Sequence, residues 1–247
     1  MSTKAVDKVQ DHHHLRSGFR VEMQPLENGD HLTRLEFERR YHAMRQLKKA
    51  ELIEGVVYMT SPVRVKGHGT PHGQIITWLG LYCAATPGVE FADNATLRLD
   101  PDNEPQPDAS LWLPEVAGGR GRISGDDYLE GSPELIVEVA GSSAAYDLHD
   151  KLNAYRRNGI AEYVVWRIYD RQIDWFALEA ERYVRVAPDS EGAIQSRIFP
   201  GLRLSVPALL DGDLARVLSE LQAGLATEKH SAFVGKLASA AENKGSS

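Results

Sequence analysis

Cysteine is almost absent from this 247-residue sequence, in which Cys83 is the only one. A single cysteine excludes an internal disulfide and a zinc cluster built from cysteines. Long apolar runs are missing as well: the most apolar helical stretch, residues 75–85, is shorter than the roughly 20 residues that a membrane-spanning helix needs. The N-terminus has no basic segment followed by an apolar run, so we expect no signal peptide. These absences predict a soluble, cytoplasmic protein with no membrane partner.

The chain has fewer basic than acidic residues. The chain has 28 lysines and arginines against 35 aspartates and glutamates, which gives a formal net charge of −7. Nonspecific binding to nucleic acid depends on basic side chains that neutralise phosphates, so this composition excludes a protein coated with basic surface. Any contact with nucleic acid must therefore come from a local basic patch.

The length and composition are those of an ordinary globular protein, with 42% hydrophobic and 26% charged residues. We predict a flexible N-terminal arm (residues 1–30), a single domain (31–225) and a C-terminal tail (226–247). The arm contains three consecutive histidines, His12 to His14. Consecutive side chains point in different directions, so we interpret these histidines as solvated rather than metal-binding.

Hydrophobic periodicity and turn signals predict alternating helices and strands. The predicted helices cover residues 33–44, 70–85, 142–158 and 207–225. The predicted strands comprise two short ones within 51–60 and others at 89–93, 95–100, 109–113, 134–140, 162–168, 172–178, 182–187 and 197–206. Residues 114–131 are rich in glycine and are predicted to form a long, functional loop. This order favours an α/β fold with a mixed β-sheet flanked by helices.

Two carboxylates occur within apolar, strand-like segments. Asp108 follows Pro107 at the start of one strand, and Glu138 lies between two valines late in the next. A buried carboxylate costs several kcal/mol unless a cation or a hydrogen-bond donor meets it. Oxygen ligands of this kind are what Mg²⁺ prefers, and the pair could hold such an ion. The alternatives are an ordinary turn aspartate at Asp108 and a structural salt bridge at Glu138.

A lysine follows on the next predicted helix. Lys151 lies about 60° to one side of the stripe that Leu148, Leu152 and Tyr155 define, so its ammonium group can reach the sheet edge near Glu138. A lysine beside a metal-binding acid pair can orient a water or stabilise developing charge, which is the chemistry of metal-dependent phosphodiester hydrolysis. The alternative is a surface ion pair with Asp147, four residues earlier.

Basic side chains precede the second predicted helix and are candidates for phosphate contacts, since a helix N-terminus favours anions. These are Arg64, Lys66 and His68. A solvated loop is an equally common origin of such a pattern. Glu54, in the turn between the first two strands, is either a third acidic group of the site or simply a turn residue.

These motifs in this order resemble the PD-(D/E)XK nuclease superfamily, and most closely the Uma-type restriction endonucleases of bacteria. The resemblance covers residues 33–206. The matching segments are Glu51-Leu52-Ile53-Glu54-Gly55, Ser61-Pro62, His72 at the start of a helix, Gln106-Pro107-Asp108, Pro133 to Val139, Asp147 through Lys151 to Tyr155, and Gly159 to Tyr163.

The resemblance implies a restriction-endonuclease-like core, a Mg²⁺ cofactor for which Mn²⁺ can substitute, and DNA as substrate. It implies that Asp108 and Glu138 are metal ligands. The superfamily's lysine normally stands two residues after the second acid, where this chain has Ala140. The resemblance therefore implies that Lys151 takes over the catalytic role of that lysine.

Several further expectations accompany the nuclease hypothesis. Glu54 would be an additional acidic ligand, and His72 and Tyr155 would assist the catalytic residues. Cutting both strands of a duplex favours a homodimer.

Two other functions remain open from the sequence. One is a non-catalytic DNA- or protein-binding module that kept the fold, which the acidic charge and the displaced lysine favour. The other is a metal hydrolase that acts on RNA or a nucleotide, since no base-reading element is recognisable.

Overall fold

The computed structural model describes residues 23–59, 64–141 and 143–245. The three histidines of the arm and one predicted helix cap, Ser142, lie outside these ranges. The helices are α1 (Arg34–Ala43), α2 (Thr70–Ala85), α3 (Ala144–Tyr146), α4 (Leu152–Arg157), α5 (Val206–Leu210), α6 (Leu214–Leu225) and α7 (Glu228–Gly245). The strands are β1 (Ala50–Ile53), β2 (Val56–Met59), β3 (Glu90–Asp93), β4 (Leu97–Arg98), β5 (Ala109–Trp112), β6 (Arg120–Ile123), β7 (Leu129–Ser132), β8 (Leu135–Ala140), β9 (Glu162–Arg167), β10 (Gln172–Glu179), β11 (Arg182–Arg185), β12 (Ala193–Gln195) and β13 (Arg203–Ser205).

The central element is a six-stranded sheet in the order β11-β10-β9-β8-β5-β3. Strand β8 is buried along its whole length and runs parallel to β9 and antiparallel to β5. Its side chains alternate between two apolar clusters, as the sequence predicts. Leu135, Val137 and Val139 join one cluster, and Ile136 and Ala140 join the other. A strand covered on both faces explains the nearly continuous apolar run.

Helices cover both faces of this sheet, which confirms the predicted α/β architecture. On one face α2 contributes Ile75, Trp78 and Leu79 to the cluster that contains Val137. On the other face a bent helix formed by α3, a π-helical segment (Asp147–Lys151) and α4 contributes Tyr155. The end of β8 is therefore enclosed between two helices that begin close to it.

A hairpin of β1 and β2 packs with α1 beside the main sheet, around Leu26, Phe37 and Leu52. Helix α1 begins after Thr33 as predicted, but the Thr33 side chain makes no capping hydrogen bond. Glu36, three residues on, pairs with Arg39 and Arg40 instead of returning to the helix start. Local ion pairs thus engage Glu36, and the reciprocal side-chain cap that Thr33 and Glu36 could form at this three-residue spacing is not made.

The predicted loop at residues 114–131 is wrong. The segment contains a 3₁₀ turn followed by β6 and β7, which form a small sheet with β4. Its glycines allow the two strands to pack closely and do not mark a flexible loop. Gly131 has φ 87°, and a Cβ there would lie 2.2 Å from the carbonyl oxygen of Arg120. A side chain could not fit where the two strands approach each other.

The C-terminal region also differs from the prediction. The single predicted helix at residues 207–225 is two helices, α5 and α6, separated at Gly212, where φ is 76°. The expected tail contains the 18-residue helix α7, and its Leu237 is buried in the main core. Small and charged residues around Leu237 dilute the apolar pattern, which is why the sequence gives little signal there. We propose that the domain extends through α7.

None of the helices in the described ranges is long and apolar enough to cross a membrane.

Candidate functional site

The site begins where the ladder between β5 and β8 ends. The last paired residues are Ala109 and Val137, so the same register places Pro107 opposite Val139. Proline has no N–H group to continue the ladder. The Val139 N–H instead donates to Asp108 Oδ2 at 2.7 Å, and His68 Nδ1 donates to the Val139 carbonyl at 3.0 Å. The Pro107-Asp108 pair therefore both stops the strand pairing and fixes one carboxylate.

Asp108 and Glu138 face each other across these two strands. Extending the register by one residue makes them an opposed pair, whose side chains lie on the same face of the sheet. Both residues are only 4% exposed. Burial raises the pKa of Asp108. Together, His68, Lys49 and the Val139 N–H lower this pKa by more than burial raises it, so the net shift is downward. Asp108 is thus held as a carboxylate beside a second buried acid.

The predicted lysine reaches Glu138. Lys151 Nζ lies 2.8 Å from Glu138 Oε1 and 2.9 Å from Glu51 Oε1, with Asp147 Oδ1 at 3.8 Å. The Tyr155 hydroxyl donates to the same Glu138 oxygen at 3.0 Å. We call Lys151, Glu138, Glu51, Asp147 and Tyr155 the lysine cluster. All five residues are at most 4% exposed.

More carboxylates than cations occupy this cluster, and the pKa values reflect that excess. Burial lowers the pKa of Lys151, but Glu138, Glu51 and Asp147 raise it, and the net shift is well upward. Burial raises the pKa of Glu138, and the positive charge of Lys151 lowers it. The negative charges of the neighbouring acids raise it again, so the net shift is upward. Lys151 therefore stays charged, while Glu138 and Asp147, whose pKa values burial raises, have a tendency to retain a proton.

A π-helical segment, Asp147–Lys151, delivers the lysine to Glu138. The sequence predicts that Lys151 flanks a buried stripe of Leu148, Leu152 and Tyr155, and this is wrong for the two leucines, which are half-buried. The buried stripe is Asp147, Lys151, Ala154 and Tyr155. The i→i+5 spacing of the π-helical segment changes the helix face, and such segments are often found at functional sites. The alternative of an exposed Asp147–Lys151 pair does not hold, because both side chains are buried.

Glu51 is the acid that sequence reasoning missed. It lies on the buried strand β1, and its Oε1 also accepts a hydrogen bond from the Gln106 N–H at 2.7 Å. The argument that singled out Glu138, a carboxylate within a buried strand, applies equally to Glu51. Glu54, for which the sequence leaves a third acidic group and a turn residue both open, lies in the β1–β2 turn with φ 53° and pairs with Arg157 at 2.7 Å. The structure therefore places Glu51 in the lysine cluster and Glu54 outside it.

The two predicted histidines lie on the Asp108 side. His68 Nε2 is 3.4 Å from Asp108 Oδ1, and this hydrogen bond is the main cause of the raised pKa of His68. His72 Nε2 lies 3.2 Å from the Asp108 backbone carbonyl and 3.1 Å from Asp93 Oδ1. The two imidazole rings stack with centroids 5.4 Å apart. His68 thus contacts the acid directly, whereas His72 contacts its backbone.

The other proposed phosphate ligands are further from the acid pair. Arg64 and Lys66 are exposed at the start of the π-helical segment Val65–Gly69 that precedes α2. Lys66 lines a cleft of about 700 Å³ together with Trp166 and Arg171. Of the three basic side chains that the sequence proposes, only His68 has a contact with Asp108 or Glu138 within the described part of the chain.

The residues present fit one hard cation better than a preformed metal cage. Within the described ranges, no three His, Cys, Asp or Glu side chains are arranged to hold a metal ion. Mg²⁺, however, usually takes only one or two carboxylates and keeps several waters. Asp108 and Glu138 supply two, and the acid excess of the lysine cluster leaves negative charge to offset. The buried Tyr146 hydroxyl beside Lys151 also has no hydrogen-bond partner among the described residues.

Comparison with known families agrees with this geometry. The family model Uma2, described as "Putative restriction endonuclease", matches residues 34–207. The chain belongs to the Uma2 family. This confirms the resemblance inferred from the motifs, and every residue of the lysine cluster lies within the matched range.

A solved structure shows the same fold. It is a crystal structure described as a putative nuclease belonging to DUF820, from Anabaena variabilis, with 11% sequence identity and a TM-score of 0.53. The match covers 70% of this chain and 96% of that chain. Identity this low shows the fold alone. No curated protein matches the chain.

Proposed function

We propose that this Uma2-family protein is a Mg²⁺-dependent endonuclease that hydrolyses phosphodiester bonds of DNA. The observation that carries the proposal is that Asp108 and Glu138 lie opposite each other on adjacent strands and that Lys151 Nζ lies 2.8 Å from Glu138. Two opposed carboxylates and a charged lysine are the groups that metal-assisted phosphodiester hydrolysis requires. The family description and the nuclease fold of the solved relative support the same reaction class.

Each residue has a role that follows from its contacts. Asp108 and Glu138 would hold the ion, for which Mn²⁺ can substitute. When bound, the metal would offset the negative charge of the phosphate and lower the pKa of a water molecule. Lys151, charged throughout the neutral range, stabilises the negative charge that develops on the phosphate. The Tyr155 hydroxyl fixes the orientation of Glu138, and His68 with the Val139 N–H fixes Asp108.

Duplex DNA has two strands, and each chain has one opposed acid pair of this kind in the described residues. We therefore propose a homodimer for double-strand cleavage, since two-fold symmetry would present one site to each strand. A DNA substrate also leads us to propose a cytoplasmic location.

Plasmid nicking tests the function directly. Purified wild-type protein is incubated with supercoiled plasmid and Mg²⁺ or Mn²⁺, beside Asp108→Asn, Lys151→Met and Glu54→Gln. We expect nicking by the wild type and by Glu54→Gln, because Glu54 lies outside the lysine cluster, and none by the other two. A wild-type protein that binds plasmid without nicking it would instead favour the non-catalytic module. Parallel reactions with RNA would separate the two nucleic-acid substrates.

A further inference from the structure

A second lysine lies near Asp108 and has no role in the chemistry described so far. Lys49, immediately before β1, is half-buried, and its Nζ donates to the Gln106 carbonyl at 2.9 Å and to Asn94 Oδ1 at 3.4 Å. Gln106 is two residues before Asp108, so the ammonium group is held at the same strand end as the acid. The positive charge of Lys49 is one of the causes that lower the pKa of Asp108.

The hydrogen-bonding of Lys49 is incomplete. An ammonium group has three N–H donors, and the two acceptors recorded for Lys49 are a carbonyl and an amide oxygen, both neutral. None of the ion pairs in the described part of the chain involves Lys49. Lys151, by contrast, is surrounded by carboxylates. Within the described residues Lys49 therefore has no carboxylate in ion-pair contact, although its charge acts on Asp108 at longer range.

Asn94 and His72 lie on the same side of Asp108 as this lysine. Asn94 has φ 50°, a left-handed conformation that asparagine tolerates, and its Nδ2 lies 3.3 Å from His72 Nε2. The Asn94 carbonyl also accepts from Gln106 Nε2 at 2.7 Å, which ties this turn to the segment before Asp108. Asn94 Nδ2 also donates to Asp93 Oδ1 at 2.8 Å. The side chains of Lys49, Asn94 and His72 are thus fixed around the start of β5.

We propose that Lys49, with Asn94 and His72 beside it, forms a phosphate subsite that holds a backbone phosphate of the nucleic-acid substrate next to Asp108. The proposal rests on the proposed nuclease function and adds to it the group that positions the strand. Phosphate contacts set the register of a protein on its substrate, and a partly satisfied ammonium group beside the acid pair is suited to that role. Lys49 also supplies a local positive charge, which an acidic protein needs in order to contact phosphate.

The salt dependence of DNA binding tests this subsite. The affinity for a labelled DNA duplex is measured over a range of KCl concentrations, with EDTA present so that no strand is cut. Each phosphate contact contributes about −0.9 to the slope of log K against log salt for duplex DNA. We expect Lys49→Met to reduce the magnitude of that slope by about this amount. Lys49→Gln, which keeps a donor for the Gln106 carbonyl, should do the same if the methionine variant folds poorly.

Lys48→Met is the matched control, since Lys48 is the adjacent residue, is exposed, and loses the same charge. We expect Lys48→Met and Lys49→Arg to keep the wild-type slope. The subsite would be overturned if the Lys48 and Lys49 variants lost equal amounts of slope. It would also be overturned if Lys49→Gln had a lower melting temperature but an unchanged slope. A wild-type protein that binds no nucleic acid would overturn the nuclease proposal itself, and the two failures are therefore distinguishable.

Discussion

Lys151 and Glu138 are in direct contact in the interior of the protein, with 2.8 Å between Nζ and Oε1. The contact joins the end of a central strand to the helix that follows it. Lys151 stands 11 residues after Ala140, the position at which the superfamily pattern would place its lysine. Because Glu51 and Asp147 share the same ammonium group, Lys151 is the cation around which three buried acids are organised. Its removal should therefore affect both folding and catalysis.

Lys151→Met is expected to destabilise the protein and abolish cleavage. Breaking a buried ion pair by removing one partner costs about 3–5 kcal/mol, because the remaining charge is buried without a counter-ion. Loss of a charge-stabilising donor should lower the cleavage rate by about 10²- to 10³-fold. Urea unfolding and plasmid nicking measure the two effects. The double variant Lys151→Met/Glu138→Gln should regain part of the stability and none of the activity. If Lys151→Met alone were as stable as the wild type, the interpretation of Lys151 as a buried cation would be contradicted.

Metal ions should stabilise the wild-type protein but not Asp108→Asn. A ligand that binds only the folded state raises the unfolding free energy by about 2.7 kcal/mol at a hundredfold excess over its dissociation constant. The amide oxygen of the asparagine can still accept from the Val139 N–H, so the variant should remain folded. Thermal unfolding over a series of Mg²⁺ and Mn²⁺ concentrations measures the difference. Glu54→Gln, an acid lost outside the lysine cluster, should respond to metal as the wild type does.

Much of this site could be predicted from sequence because its key residues obey local rules. Alternation along β8 identifies Glu138 as a buried carboxylate. The position of Lys151 on the next helix brings it near Glu138, although a π-helical segment and not regular helical spacing makes the contact. The same argument marks Glu51 as a buried carboxylate, but its contact with Lys151 could not be predicted. It depends on how the β1–β2 hairpin docks, through the antiparallel bridge between Leu52 and Glu104, onto a distant part of the chain.

The remaining errors in the predicted fold also have physical causes. Glycine signals a loop in sequence, yet Gly131 allows two strands to approach closely in β6–β7. A sparse apolar pattern signals a tail, yet Leu237 of α7 packs against Gly88, where the absence of a side chain provides the room. In both cases a tertiary contact gives the residue a role that neighbouring residues do not reveal.

The stability of the protein should depend on pH through Glu104, which lies away from the acid pair. The pKa of Glu104 is raised to about 8, first by burial and then by the hydrogen bond with Glu38, while Arg98 and Arg34 oppose the shift. A carboxyl group whose folded pKa is raised holds its proton in the folded state at pH values where the unfolded chain has lost it. Stability is therefore lost as the pH rises from about 4.5, the ordinary value, through about 8.

Glu104→Gln should remove this part of the pH dependence. Urea unfolding of the wild type and the variant at pH 5 and pH 8, each in the absence of metal, provides the comparison. We expect the wild type to lose more stability than the variant over this interval, because glutamine has no proton to release. Glu115→Gln, a change at an exposed carboxyl group, is the control and should follow the wild type. A variant with the same pH profile as wild type would show that Glu104 is ionised in the folded protein.

Two glutamates on one hairpin provide the sharpest comparison between a site residue and a neighbour. Glu51 contacts Lys151 and the Gln106 N–H, whereas Glu54, in the following turn, contacts Arg157. A group that orients a catalytic side chain typically costs 10- to 100-fold in metal affinity or activity when changed, so we expect about that loss of nicking in Glu51→Gln. Glu54→Gln should stay within about 0.5 kcal/mol of wild-type stability, as exposed substitutions usually do, and keep full activity. Equal activity in the two variants would remove Glu51 from the site. A larger loss in Glu54→Gln would make Glu54 the third acid, one of the two roles that the sequence leaves open for it.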